Sequence, residues 1–334
     1  MREAAPEAST QKIGLVNPLP EKLIREFAAS VEKLYVFEEL EPIIEEQVKA
    51  MGIACEGKNL TGRQGELSLR KVAALLGNPL PAPIEAAQVP NRPPVMCPGC
   101  PHRASYYVIR KLGLTAMGDI GCYTLGALPP TSAIDACLCM GASIGLTQGF
   151  TRMRGEAAKK TIAVIGDSTF MHSGINSLLS AVYNQSDATI MILDNTTTGM
   201  TGHQPNPATG FDIHGNPANR ICLEELCAAA GANVRVVDAY DLKGLEAALK
   251  EETGRKGVSV IISRKPCALL DKKSKKPALR IDTDACKKCM ACTKIGCPAI
   301  EKTENGVRIN PALCVGCELC TQMCAFGAIR KAGE

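Results

Sequence analysis

Between residues 160 and 267, short apolar runs alternate with stretches whose apolar positions recur every three or four residues. "KTIAVIGDS", "ATIMILDN", "NVRVVDAY" and "GVSVIISRKPC" are dominated by aliphatic and β-branched residues and closed by turn or polar signals, so they predict buried strands. "SGINSLLSAVYNQ", lying between the first two, has the helical period. Strands separated by helices predict an α/β fold, with a parallel sheet covered by helices on both faces. Ligands bind such sheets beyond the carboxyl ends of the strands. Upstream, a helix with spaced apolar residues, a strand "KLYVFEEL" and a helix near "ELSLRKVAALLG" predict a partial α/β domain over residues 1–80. A proline-rich linker at 81–94 runs extended, the sheet domain occupies 95–270, a basic linker lies at 271–280, and 281–334 form a separate tail. Gly141, Gly145 and Gly149 in "GASIGLTQG" predict a closely packed helix.

Composition narrows the class. The 334 residues, 46% of them hydrophobic, suffice for two or three domains with one sizeable core. A net charge of +4 is modest and local, which argues against nucleic-acid or membrane partners. No run of 18 apolar residues and no export signal is present, and the expected setting is soluble and cytoplasmic. The 17 cysteines change the picture most. Eight fall within 286–324, and in a chain without an export signal such density points to metal rather than to disulfides.

The tail carries C-x2-C-x2-C-x4-C-P at Cys286, Cys289, Cys292 and Cys297, then C-x2-C-x2-C-x3-C at Cys314, Cys317, Cys320 and Cys324. Three thiolates at two-residue gaps wrap one corner of an iron–sulfur cube and leave the fourth to cross over. In two-cluster ferredoxins the fourth cysteine of each run ligates the other cluster. By that rule one [4Fe-4S] cluster takes Cys286, Cys289, Cys292 and Cys324, and the other takes Cys314, Cys317, Cys320 and Cys297. The competing reading, zinc, prefers two well-separated Cys-x2-Cys pairs. The first run has one residue more than usual before Cys297, and Ala325 stands where proline usually follows. Two clusters in series form a wire for single electrons, and a wire implies a source.

That source is sought at the strand ends. "GDSTF" follows one buried strand, and "DNTTTGMTGHQ" begins at the end of the next. Gly166 permits a tight turn and close approach of a phosphate. Asp167 could bridge a hard cation to a diphosphate, with a side-chain oxygen of Asn195 and the Thr197 carbonyl as further ligands. Magnesium prefers such sparse carboxylate ligation plus substrate phosphates. Alone, Gly-Asp-Ser is a common turn; paired with an asparagine at the next strand end, it gains weight. Neither G-x4-G-K-[ST] nor G-x-G-x-x-G is present.

A Gly-Asp followed some 25 residues on by Asn resembles the diphosphate–magnesium motif of thiamine diphosphate enzymes. Together "CPGCPHR", "GDIGCYTLG", "GDSTFMHSGI" and "DNTTTGMTGHQP" resemble the 2-oxoacid:ferredoxin oxidoreductases, and among them the indolepyruvate-type alpha subunits, from about Lys33 to Arg330. The resemblance implies a thiamine diphosphate-binding parallel-sheet domain, preceded by a partial α/β domain and followed by a small two-cluster ferredoxin-like domain. It implies oxidative decarboxylation of arylpyruvates: a thiamine carbanion attacks the keto carbon, CO2 leaves, coenzyme A takes the acyl group, and ferredoxin takes the electrons. By the same resemblance Asp167, Asn195 and Thr197 hold Mg2+, while Gly166, Ser168 and Thr169 lie along the diphosphate. His102 and His203 are candidates for orienting substrate or cofactor, with packing roles as the alternative. Cys97, Cys100, Cys122 and Cys267 match in kind and order the ligands of a third [4Fe-4S] cluster beside thiamine; otherwise they are buried thiols. Glu38 and Glu39 read as an acidic strand end.

The family's alpha subunit is longer and begins with a module that packs on the aminopyrimidine, which nothing before Lys33 resembles. The expectation is a fragment or a split subunit, inactive alone, that takes this module from another chain and works with a second (beta) subunit in an anaerobic setting. The alternatives are another 2-oxoacid as substrate, or an electron-transfer adaptor without thiamine chemistry.

Overall fold

The structure, a computed structural model, describes residues 1–84, 86–155, 160–271 and 276–331. It divides into two compact units, Met1–Asn91 and Arg92–Glu334. Part of the predicted basic linker, 272–275, lies outside the described residues.

The first unit holds four short helices, α1 (Glu21–Ala29), α2 (Ile43–Ala50), α3 (Lys58–Thr61) and α4 (Leu69–Leu75). Its apolar groups form two small cores, one around Ala4, Val72 and Ala73 and one around Leu19, Ile24 and Val48. "KLYVFEEL" is not a strand: only an isolated bridge, Tyr35 to Glu56, forms there. The acidic pair does other work than marking a strand end. The Glu38 carboxylate accepts the free amides of Ile44 and Glu45 at the start of α2, both at 2.9 Å, and Glu39 accepts from the Leu67 amide at 2.9 Å. Free N–H groups at a helix start attract carboxylates in this way.

The second unit contains the predicted parallel sheet. Its five strands, β1 (Thr115–Met117), β2 (Thr161–Gly166), β3 (Ala188–Asp194), β4 (Asn233–Asp238) and β5 (Val258–Arg264), run in the order β1-β2-β3-β5-β4. All pairings are parallel, with Ile165 opposite Ile192 and Ile192 opposite Ile262. Alternation sorts the side chains onto two faces. Ala163, Ile165, Ile190, Ile192, Val260 and Ile262 join one core, with Ile144 of α6 (Ala142–Arg154), Leu178 of α8 (Ile175–Tyr183) and Leu223 of α9 (Leu223–Ala229). Val164, Met191, Leu193 and Ile261 join the other, with Ile109 of α5 (His102–Leu112) and Leu245 of α10 (Leu242–Glu252).

The cysteine-rich tail packs into this second core, to which it gives Ile295 and Leu319. It is built on two antiparallel ribbons: β6 (Leu279–Ile281) with β9 (Ile329–Lys331), and β7 (Ile300–Thr303) with β8 (Gly306–Ile309). Gln322 reinforces the seat: its amide nitrogen donates to the Tyr240 carbonyl at 2.7 Å, and its amide oxygen accepts from the Leu242 amide at 3.1 Å. The close-packed glycine helix is only partly realised. Gly141 begins α6 with φ +83° and lies against Ser173, whereas Gly145 and Gly149 face open space.

Candidate active site and cysteine clusters

Adjacent parallel strands bring their carboxyl ends together, and the chain places an acidic or amide side chain just beyond each of three. Asp119 follows β1, Asp167 follows β2 and Asn195 follows β3. Asp167 and Asn195 line one pocket with Ile120, Gly121, Cys122, Tyr123, Gly166, Ser168, Thr169, Thr197, Thr198 and Gly199, with His102 also on its wall, and Asp119 immediately precedes the wall at residues 120–123. The cavity holds about 90 Å³.

Asp167 is 2% exposed, opens a single helical turn, α7 (Asp167–Thr169), and leads into a π-helical turn at Phe170–Gly174. Such turns are rare and often found at functional sites. Burial first, and the neighbouring Asp194 second, push its carboxyl up to about 7, against a hydrogen bond from Asn206 at 3.0 Å. The Asn195 amide oxygen faces two other acceptors, the Asp167 carboxylate at 3.0 Å and the Thr197 carbonyl at 2.8 Å. Turned over, the amide donates to both, and the same three groups could instead close around a cation. A divalent ion with oxygen ligands suits this donor set. Ser168 meets Thr198 across the pocket, Oγ to Oγ at 2.7 Å, which ties the two strand-end loops together.

Gly166 is required for a reason other than its turn. Its φ of −79° is open to any residue, but a Cβ there would lie 2.5 Å from Tyr123 Cε1. Tyr123 is buried, its hydroxyl donating to the Ile120 carbonyl at 3.0 Å and lying 3.3 Å from Thr169 Oγ1. Gly166→Ala should cost about 1–3 kcal/mol by overpacking. Chemical denaturation should show that loss, and Tyr123→Leu in the same chain should recover much of it.

Three supports escaped the sequence reading. Asp119, fully buried, accepts from the amides of Ile120 (2.8 Å), Gly141 (2.8 Å) and Ser143 (3.1 Å), pinning the pocket rim to the start of α6. Asn206 lies one residue beyond the "HQP" motif and holds Asp167. Asp194 is bound by Arg264 at 2.6 Å, which also clasps Glu224 at 2.6 and 2.9 Å. The Arg264 hydrogen bonds hold the Glu224 carboxyl at about 2, so that pair supports the fold fully above pH 4.5 and loses its contribution as pH falls towards 2.

The histidines separate. His102 is 4% exposed and stands edge-on to Tyr123, ring centroids 5.9 Å apart, and burial pushes it down to about 4, so it is neutral near pH 7. His203, in the left-handed region at φ +64°, places Nε2 3.7 Å from Cys267 Sγ. It belongs to the cysteine side of the site.

Twelve of the 17 cysteines gather into three sets. The Cys100 thiol lies in the electrostatic range of Cys97 and Cys267, and Cys122 in that of Cys267 and Cys97. Cys122 lines the strand-end pocket, so this set adjoins it. In the tail, Cys320 neighbours Cys317, Cys297 and Cys314, whereas Cys292 neighbours Cys324, Cys289 and Cys286. The last four surround a small cavity of about 20 Å³ whose other walls include Ile281, Val307, Phe326 and Ile329. Among the described residues no three His, Cys, Asp or Glu side chains converge tightly enough for one ion. Burial pushes the Cys100 thiol up to about 12 and raises Cys320 as well, so both need a cationic group to become ligands.

A parallel sheet with a pocket at its strand ends defines a ligand-binding α/β domain, and residues 119–263 match the thiamine pyrophosphate enzyme C-terminal TPP binding domain. Across nearly its whole length the chain is similar to proteins named indolepyruvate oxidoreductase subunit IorA. It is 39% identical to the subunit of Pyrococcus horikoshii over 97% of this chain and 56% of that one. It is 39% identical to that of Archaeoglobus fulgidus (96% and 55%) and 40% identical to that of Thermococcus kodakarensis (97% and 57%). The chain thus spans a little over half the length of the curated relatives it matches. No helix among the described residues is long and apolar enough to cross a membrane.

Proposed function

We propose that this chain is the diphosphate-binding and electron-relaying part of a 2-oxoacid:ferredoxin oxidoreductase that converts arylpyruvates, indolepyruvate first, to aryl-acetyl-CoA and CO2. The observation that carries the reading is the single pocket that places the Asp167, Asn195 and Thr197 oxygens and Cys122 on the same walls. Thiamine diphosphate, when bound, supplies the carbanion chemistry that releases CO2 and makes the electrons available. Asp167, Asn195 and Thr197 hold Mg2+ against the diphosphate, and Gly166, Ser168 and Thr169 lie along it. His102, neutral and buried, orients the reacting end, while His203 fixes Cys267. The three cysteine sets hold [4Fe-4S] clusters in the order Cys97/Cys100/Cys122/Cys267, then Cys297/Cys314/Cys317/Cys320, then Cys286/Cys289/Cys292/Cys324. The last set is the exit to ferredoxin, since Cys289 is exposed and Cys122 lines the pocket. A pyrimidine-binding module and a second (beta) subunit complete the site for substrate and coenzyme A, and the cytoplasm of an anaerobe is the proposed setting.

Co-expression with the neighbouring genes under anaerobic conditions, followed by substrate-dependent viologen reduction with coenzyme A, tests this. Indolepyruvate turnover is expected. Turnover of pyruvate alone would keep the chemistry and reject the substrate, and no turnover of any 2-oxoacid by a complex with full clusters would leave an electron-transfer adaptor.

A further inference from the structure

Arg103 is the most deeply buried cation of the described residues near these cysteines, at 2% exposed. Its guanidinium donates to the carbonyl of Cys97 at 3.1 Å and to those of Met96 and Gly296. Gly296 immediately precedes Cys297, so one side chain clasps the backbone of two cysteine sets across 193 residues of sequence. Gly296 itself has φ +71°, and a Cβ there would stand 3.2 Å from the guanidinium, so the contact is backbone against cation. Among the described residues Arg103 forms no ion pair with a carboxylate; carbonyls are its hydrogen-bond partners. A buried cation without an anion is costly. Burial opposes its charge, and the groups that favour it are the thiols of Cys100, Cys297, Cys97 and Cys317, two from each set. The missing anion is therefore supplied from both sides once these thiols ligate as thiolates.

We propose that Arg103 is a shared counter-ion and positioning residue for the Cys97/Cys100/Cys122/Cys267 and Cys297/Cys314/Cys317/Cys320 sets, raising the reduction potential of whatever group each set holds. The inference rests on the reading that both sets carry iron–sulfur clusters. Net charge and hydrogen bonding around the ligands set such potentials, and a fixed cation between two anionic centres favours the extra electron on either. The Cys286/Cys289/Cys292/Cys324 set has no such contact with Arg103 and serves as the internal control.

The test uses the complete complex, reconstituted anaerobically, with Arg103→Gln and Arg103→Lys compared against the wild type. Iron and acid-labile sulfide are counted, and the midpoint potentials of the centres are followed by electron paramagnetic resonance. Arg103→Gln keeps amide donors for the carbonyls but removes the charge. The expected result is wild-type iron with two of three potentials lowered, each by a tenfold or greater change in the reduced-to-oxidised ratio, or about 59 mV for one electron. The third potential stays in place, and Arg103→Lys restores the other two. Wild-type iron with all potentials unmoved in Arg103→Gln would overturn the proposal. If Arg103→Gln fails to hold its clusters, the lysine variant decides: wild-type potentials support the counter-ion, and lowered potentials with the charge still present overturn it. A wild-type complex free of iron and sulfide would instead reject the cluster reading on which the inference stands.

Discussion

Asp167→Asn should strip the protein of magnesium and thiamine diphosphate while leaving the cofactor-free fold more stable at neutral pH than the wild type. The first half follows from the oxygens at the strand ends. Asp167 brings the only formal charge among the three groups proposed to hold the ion, and the Asn195 and Thr197 oxygens are neutral dipoles. Losing an outer-shell partner of a metal ligand typically costs about 10–100-fold in affinity. Losing the charged ligand itself should exceed about 100-fold, read by calorimetric titration of Mg2+ with thiamine diphosphate. Viologen reduction by the complex should fall to background. The second half follows from burial. The Asp167 carboxyl is pushed from 3.8 to about 7 in the folded chain without cofactor, by burial and by Asp194. Between those values the folded state holds a proton that the unfolded state has released, so stability falls as pH rises from about 4 to about 7. The asparagine variant lacks that loss. Urea denaturation of both cofactor-free proteins at pH 5 and pH 7.5 should show the variant gaining relative to wild type at the higher pH. An equal pH response in the two would mean that the carboxyl is not the strained group. Retained cofactor affinity would move the metal site elsewhere.

The parts of this site that sequence made legible are those where one local rule sufficed. Long β-branched runs such as "TIAVIG" and "ATIMILD" are buried on both faces, and their ends announce Asp167 and Asn195. The cysteine spacing announces two interleaved sets, because a fourth cysteine beyond a C-x2-C-x2-C run cannot easily fold back on its own three. What stayed hidden depends on distant partners. β1 spans only three residues, too few for any period to register, and it exists because Thr161, Ile162 and Ala163 pair with it. "KLYVFEEL" has strand composition but no neighbour beyond a single bridge, and Glu38 finds the start of α2 instead. Gly166 reads as a turn glycine, yet the demand on it comes from Tyr123, 43 positions upstream, whose ring fills the space a side chain would occupy. Asn206 and Asp119 are ordinary loop residues until the strands place them against Asp167 and the start of α6. Arg103 sits inside the quoted "CPGCPHR", but its chemistry depends on Gly296, and no spacing rule connects the two.

Cys324→Ala should produce the same spectroscopic loss as Cys289→Ala, and a different one from Cys317→Ala. Sequence proximity says otherwise, since Cys324 closes the run that contains Cys317. In space, the Cys292 thiol lies in the range of Cys324, Cys289 and Cys286, and all four line the apolar cavity between the β6–β9 ribbon and the Met290 turn. Cys297, from the first run, crosses to Cys317, Cys320 and Cys314. Each alanine variant should therefore lose one cluster's iron and one resonance signal: Cys289→Ala and Cys324→Ala the same signal, Cys297→Ala and Cys317→Ala the other. Electron delivery should separate the pairs further. Loss of the outer set should leave the inner clusters reducible by substrate but abolish transfer to ferredoxin. Loss of the inner set should also unseat the tail, because Cys297 and Cys317 pack against the core that Ile295 and Leu319 enter. Thermal unfolding should fall further for Cys317→Ala than for Cys324→Ala. If Cys324→Ala instead matched Cys317→Ala in both spectrum and stability, each run would close on itself, and the path from the thiamine pocket to the surface would have to be redrawn.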